Sequence, residues 1–342
     1  MSVGRPLTWS PPGGGSMAYD DLRQPAGILQ SRKECKGSRV HNPMIKSSVP
    51  TQNTSLFRKV RLFLEMIKFS HTLFALPFAF TGAVLAARGV PSPVPWGWIL
   101  AAMVGARTAA MGLNRFIDAE IDGKNPRTSG RAIPAGLLGK GTVALFILLS
   151  VALLFFAAAR LNPLCLKLAP VALFFLVLYS YCKRFTSLAH GVLGLCLAAA
   201  PVGAWIAIQG SVELPILLIG AAVLVWVTGF DILYALQDLE FDRANGLHSI
   251  PVLMGVNGSL WLSRVCSLAT VGFLLAAWLL FPLGGFFLAG IGLSALLLIY
   301  EQWLLRDGDL TRLDAAFFTM NAWVSVIIFG STLLDVYVGK GA

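Results

Sequence analysis

Three features predict an all-α, polytopic membrane protein with nine transmembrane helices; the central cavity they surround follows from the acidic motifs below. Apolar residues make up 56% of the chain and charged residues only 13%, with a mean hydropathy of +0.72. Runs such as "VALFFLVLYSY" and "SALLLIYEQWLL" recur from about residue 62 onward, each approaching the roughly 20 apolar residues a helix needs to cross a hydrocarbon core. These runs lack a polar face of helical period, which a large soluble core would require.

Residues 1–58 stand apart. "SPPGGGSMAYDD" and "SRKECKGSRVHNP" are rich in Gly, Pro, Ser and charge, so the segment is predicted to be basic and disordered. It holds no apolar h-region of a secretory signal. Met17 and Met44 lie within it, and a downstream start is the simpler account; a basic tail drawn to anionic lipid is the functional alternative. Residues 59–338 then form the membrane domain. Its nine spans are predicted at 62–87, 95–113, 141–160, 163–182, 187–208, 213–235, 259–281, 284–304 and 313–336. Pro77, Pro170 and Pro201 fall inside them, as membrane helices tolerate.

The loops after the second, fourth, sixth and eighth spans carry Lys124, Arg127, Arg131, Lys140, Lys183, Arg184, Arg243, Arg306 and Arg312, against Arg88, Arg160 and Lys167 opposite. The excess of positive charge places the N-terminus and the even-numbered loops on the cytoplasmic side. The five cysteines are scattered without a CxxC, so neither a disulfide framework nor a thiolate metal site is indicated.

Against this apolar background stand two acidic stretches. "NRFIDAEIDGKNPRT" places Asp118 and Asp122 one helical turn apart, with Asn114 a turn earlier; "FDILYALQDLEFDRANGLHSIP" does the same with Asp238 and Asp242, preceded by Tyr234 and Asp231. Such spacing puts each carboxylate pair on one helix face. Four predicted spans separate the stretches, so both emerge on the same membrane side and can converge on one cavity. Carboxylate and amide oxygens are hard ligands suited to Mg²⁺. The neighbouring Lys124, Arg127, Arg131, Lys183 and Arg184 are phosphate-binding groups. Together they suggest a diphosphate held by two Mg²⁺ ions above an apolar cavity: a polyprenyl diphosphate, entering from the lipid bilayer.

At this point the motifs resemble a known family. "NRFIDAEID" is similar to the NxxxDxxxD motif of the UbiA superfamily of intramembrane aromatic prenyltransferases, "DILYALQDLEFD" to its second motif, and "YSYCKR" to its YxxxKR segment. "KFSHTLFALPFAF" looks like the first helix of bacterial quinone-pathway members, especially 4-hydroxybenzoate polyprenyltransferases. His248 departs from the pattern, standing where many members carry Lys.

The resemblance implies Mg²⁺-dependent transfer of a polyprenyl group to a small aromatic acid, 4-hydroxybenzoate or a naphthoate-type menaquinone precursor, in the bacterial inner membrane. It implies that Asn114, Asp118 and Asp122 hold one ion and Asp238 and Asp242 the other. Arg127, Lys183, Lys124 and Arg131 would bind diphosphate, and Tyr179 and Tyr234 would face the allylic cation. Asp231 is a candidate for orienting the acceptor or taking a proton. His71 is equally readable as a contact to the acceptor's carboxylate or as a packing residue. Glu301, Arg306, Asp307, Asp309 and Arg312 are predicted to form a solvated loop, and Trp96 and Trp98 an interfacial anchor. A secondary transporter is the rival reading of intramembrane acids, but the arginines beside these carboxylates disfavour a cation path.

The parity argument predicts that single cysteines introduced at Ser129 and Asn245, in a background without the five native cysteines, label from the same, cytoplasmic, side. Labelling from opposite sides would show an odd number of spans between the motifs.

Overall fold

The computed structural model describes residues 55–67, 75–305 and 313–338. Residues 1–54 of the segment predicted to be disordered, His71 and the loop residues 306–312 therefore lie outside the described residues; its last residues, 55–58, are not disordered but cap and open the first helix. Among the described residues all regular structure is helical: α1 (Leu56–Met66), α2 (Leu76–Ala87), α3 (Pro93–Ile117), α4 (Ala119–Lys124), α5 (Lys140–Leu161), α6 (Pro163–Cys182), α7 (Ala189–Gln209), α8 (Leu214–Ala235), α9 (Leu239–Ala244), α10 (Ile250–Leu280), α11 (Gly285–Leu304) and α12 (Leu313–Tyr337), with a 3₁₀ turn at Leu236–Asp238. Seven of these, α5–α8 and α10–α12, are long and apolar enough to cross a membrane. Of the two other predicted spans, α3 is long enough at 25 residues but carries Arg107 and Arg115, and α2 has 12 residues.

The predicted span 163–182 coincides with α6, and α5, α7, α8 and α11 begin and end close to their predicted bounds. Two boundaries differ for local reasons. Where one span is predicted at 62–87, the described residues form α1 and α2. The first starts early because Ser55 caps it, accepting from the Arg58 N–H at 3.4 Å; the second carries Pro77 in its first turn, where the missing N–H is harmless. The span predicted from 259 instead begins at Ile250. Ser249 caps it, accepting from the Val252 N–H at 3.3 Å, and Pro251 occupies the first turn. Gly255, at φ 69° and ψ −177°, then interrupts the helix, in a conformation open to glycine and strained for other residues.

A third correction concerns Glu301. Predicted in a solvated loop, it is 4% exposed on α11. Asn321 of α12 hydrogen-bonds to it, and the Asn321 Oδ1 accepts from Trp226 Nε1 of α8 at 2.9 Å. Burial is possible because α12 covers this face and the polar atoms satisfy one another.

Of four buried apolar clusters among the described residues, two show how the bundle is organised. The larger gathers Phe78, Trp205, Trp226, Phe287 and Ile328 from α2, α7, α8, α11 and α12; the smaller packs Phe63 and Met66 of α1 against Val143 and Ile147 of α5. Small residues set the closest approaches, as membrane helix packing requires. A Cβ on Gly82 would fall 2.1 Å from the Pro201 carbonyl oxygen, and one on Gly194 would fall 2.4 Å from that of Leu224. The second contact draws α7 onto α8, which matters for the site below.

Asp335 ties the last two helices together. Its carboxylate, 6% exposed, accepts the backbone N–H groups of Gly284, Phe286 and Phe287 at 3.0, 3.2 and 2.6 Å, satisfying donors that the start of α11 leaves open. Asp335→Ala is expected to destabilise the protein by about 3 kcal/mol, since buried donors left unpaired cost roughly 1–3 kcal/mol each. Thermal denaturation in detergent checks this, and Asp335→Asn should lose less because its amide oxygen still accepts.

Candidate active site

Both acidic motifs are built on a joint. Asp118 ends α3 and begins α4 with φ −89° and ψ 1°; Asp238 stands between the 3₁₀ turn and α9 with φ −102° and ψ 4°. Each pair thus straddles a bend instead of lying on one continuous helix. The turn is kept across the first joint, where Asp122 N–H donates to the Asp118 carbonyl at 2.8 Å.

The carboxylates are buried and met by cations from other segments. Asp118 is 2% exposed and Asp122 is 4%. Lys183 Nζ lies 2.6 Å from Asp118 Oδ2, which also accepts from Asn114 Nδ2 at 3.2 Å. Arg131 Nη1 lies 2.6 Å from Asp122 Oδ1. That leaves one buried oxygen on each, Asp118 Oδ1 and Asp122 Oδ2, without a hydrogen bond. Arg184 Nη2 comes within 3.0 Å of Asp118 Oδ1, but it is aimed at the Ile117 carbonyl, donating to it at 3.0 Å.

Asp238 is held differently. Arg127 grips both its oxygens, through Nε at 2.9 Å and through Nη2, and Asn125 Nδ2 adds a third bond at 2.9 Å. Arg127 also donates to the Tyr234 hydroxyl at 3.4 Å and sits 5.6 Å from its ring centroid. Burial works against the Arg127 charge, but the bonds and charge of Asp238, with Tyr234, more than offset it and raise the guanidinium above its usual pKa. Asp242 lies beside Ser249, with Lys183 near. Among the described residues no three acidic, His or Cys side chains form a ready metal cluster; the carboxylates stand as two pairs with their cations interleaved. One backbone bond joins the loops behind them, from the His248 N–H to the Lys183 carbonyl at 2.7 Å.

Below this charged end opens a cavity of about 1130 Å³, whose far walls are apolar, including Ile99, Met103, Leu161 and Ile206. Asn114, Asp118, Asp122, Arg127, Arg131, Tyr179, Lys183, Asp231, Tyr234, Asp238 and Asp242 all border it. Lys124 is exposed on the outside of α4, and Arg184 braces the backbone, donating also to the Ser180 carbonyl at 2.8 Å; neither borders the cavity.

Four further polar groups belong to the site and were not singled out in the sequence: Arg107, Arg115, Asn125 and His190. Arg107 and Arg115 face the cavity from α3. The Nε of each is sealed from solvent without a hydrogen-bond partner, and no acid among the described residues pairs with Arg107. The available signal was an ionisable residue inside an apolar span. Arg107 precedes Asp118 by about three turns of α3, on the face that carries Asn114 and Asp118. His190, 5% exposed, opens α7 and places Nδ1 2.7 Å from Asp231 Oδ2.

The model of the UbiA prenyltransferase family matches residues 75–324. A 4-hydroxybenzoate octaprenyltransferase of Tolumonas auensis is 33% identical over 252 residues, covering 73% of this chain and 87% of the relative. One of Vibrio campbellii is 30% identical over 251 residues, covering 72% and 87%. Among solved structures, an apo UbiA homolog from Aeropyrum pernix K1 superposes with a TM-score of 0.71 at 33% identity, covering 78% of this chain and 98% of that one. A UbiA homolog from Archaeoglobus fulgidus, bound to DMAPP and Mg²⁺, has the same fold, with a TM-score of 0.62 at 19% identity over 82% of this chain and 99% of that one. Two acidic motifs at the mouth of an apolar helical cavity and these matches agree: the chain belongs to the UbiA prenyltransferase family.

Proposed function

We propose that this prenyltransferase uses Mg²⁺ to transfer a polyprenyl group from its diphosphate to a small aromatic acid of the 4-hydroxybenzoate kind, at the cytoplasmic face of a bacterial inner membrane. The observation that carries the reading is the pair of buried, unbonded oxygens, Asp118 Oδ1 and Asp122 Oδ2. Dry carboxylate oxygens that accept no hydrogen bond are costly, even with the Arg184 charge 3.0 Å from one of them, and a hard divalent cation is the ligand that suits them. Asn114, Asp118 and Asp122 would hold one ion and Asp238 with Asp242 a second. Bound there, Mg²⁺ supplies positive charge where the leaving diphosphate becomes more negative.

The chain's own residues do the rest. Lys183, Arg131 and Arg127 are the cations within reach of a diphosphate at these carboxylates, and Arg127 offers the two-pronged geometry that phosphate oxygens accept well. The faces of Tyr179 and Tyr234 border the space in which allylic positive charge would develop, where a ring quadrupole is stabilising. The apolar walls take the prenyl tail and exclude water that would otherwise capture the cation. Arg107 supports an acidic acceptor: an unpaired guanidinium beside an apolar cavity is offset best by a carboxylate, through paired charged hydrogen bonds. The relatives from Tolumonas auensis and Vibrio campbellii are named for 4-hydroxybenzoate, which has such a carboxylate opposite its hydroxyl.

Chelation with EDTA is expected to abolish prenyl transfer and added Mg²⁺ to restore it; Asp118→Ala should lose several orders of magnitude in rate while the protein remains folded. Transfer that persists in excess chelator would overturn the metal reading.

The two ends of the cavity should separate kinetically. Arg127→Ala and Lys183→Ala are expected to raise KM for prenyl diphosphate about tenfold to hundredfold, the size of a charged hydrogen bond, with little change in acceptor KM. Arg107→Ala should do the converse, and Arg107→Lys should recover only part of the loss. Steady-state rates against each substrate in turn, over a panel of 4-hydroxybenzoate, a hydroxynaphthoate and an uncharged phenol, check both.

A further inference from the structure

His190 makes no hydrogen bond to the carboxylates proposed to hold metal, although it lies near enough to Asp242 to act on its charge, and it is fixed at both ring nitrogens. Nδ1 lies 2.7 Å from Asp231 Oδ2, and Nε2 accepts the backbone N–H of Ile250 at 3.3 Å. A backbone N–H can only donate, so Nε2 must carry a lone pair and the ring proton belongs to Nδ1. With the proton on Nδ1, the ring donates to Asp231, and His190 is held in place as the second residue of α7. The donor at Ile250 is one of the open N–H groups at the start of α10. The Thr228 hydroxyl, on α8 one turn before Asp231, approaches the His190 carbonyl at 3.4 Å.

We propose that His190 is a positioning residue for the reaction: its Nδ1–H holds one oxygen of Asp231 so that the other, Oδ1, receives the acceptor's hydroxyl. The inference rests on the transferase reading above. Asp231 and His190 both border the cavity that Arg107 enters, and Asp231 Oδ1 has no hydrogen bond among the described residues. A carboxylate anchored through one oxygen presents the other in a fixed direction, and direction is what an aligned acceptor needs. The proton balance follows. As the prenyl C1–O bond breaks, its electron pair leaves with diphosphate, and a π pair of the ring forms the new C–C bond. Asp231 Oδ1 takes the hydroxyl proton, leaving a neutral dienone. That dienone regains aromaticity by moving its ring proton to oxygen, and Asp231 passes its proton to water.

The geometry gives a test that packing alone would not pass. In place of His190, Asn sets an amide nitrogen near the position of Nδ1, whereas Gln sets its amide near that of Nε2. With the purified protein in detergent, Mg²⁺, a prenyl diphosphate and 4-hydroxybenzoate, His190→Ala is expected to lower kcat/KM for the acceptor about tenfold to hundredfold. KM for prenyl diphosphate should stay unchanged. His190→Asn should recover most of the loss and His190→Gln should not. His190→Ala added to Asp231→Ala should cause no further loss, because the histidine acts only through the aspartate. If His190→Asn is no better than His190→Gln, or the two losses multiply, the positioning role is wrong. A wild-type protein that transfers prenyl to none of the aromatic acids would instead overturn the reading on which it rests. Should His190→Ala fail to fold, the Asn and Gln variants still decide the matter.

Discussion

Everything in this protein is arranged around keeping ionised carboxylates at the edge of an apolar body. An isolated carboxylate in such surroundings takes up a proton or unfolds its neighbourhood. Here Asp118, Asp122 and Asp238 each have a cation brought from elsewhere in sequence: Lys183 from beyond α6, and Arg131 and Arg127 from the loop after α4. Breaking the pairing at any one would leave a buried charge of the opposite sign exposed to low dielectric. The loops that supply these cations are consequently part of the site and not mere connections.

The same pairing sets a gradient along the cavity. At its mouth, opposite charges alternate closely and neutralise one another. Further in, Arg107 and Arg115 add positive charge with no carboxylate bonded to either, and beyond them the wall is hydrocarbon. On the function proposed above, a substrate with a charged head and a greasy tail, and a second one carrying an acid on an aromatic ring, would find complementary ends in one chamber. The close approach at Gly194 extends this logic sideways, since it brings α7 near enough to α8 for His190 to reach Asp231.

Much of this was legible in the sequence because it depends on spacing. The spans are visible as apolar runs, and α6 coincides with its prediction. The two acidic motifs are visible because one-turn spacing of acids is rare in such a background. What escaped depends on tertiary placement. Nothing local distinguishes a histidine that meets an aspartate 41 positions away from one that packs quietly. Glu301 looked like loop because charge usually means water, and only the approach of Asn321 makes its burial tolerable. Arg107 was readable in principle, as a cation in the middle of an apolar helix. The joints at Asp118 and Asp238 were not, because a residue near φ −90° and ψ 0° leaves no signature in residue type.

Gly255 bears on how the molecule fits its solvent. A straight helix of the 31 residues of α10 would extend about 46 Å, against a hydrocarbon layer of roughly 30 Å. Such an excess forces tilt or local thickening of the bilayer. By breaking the helix after its first turn, the glycine leaves a rod of about 37 Å that moderate tilt accommodates, and frees the residues before it to follow another direction. Those residues include Ile250, whose N–H reaches His190. The break at Gly255 therefore separates two demands on one segment: the rod after it is sized to the hydrocarbon layer, while the turn before it is aimed at the His190 ring.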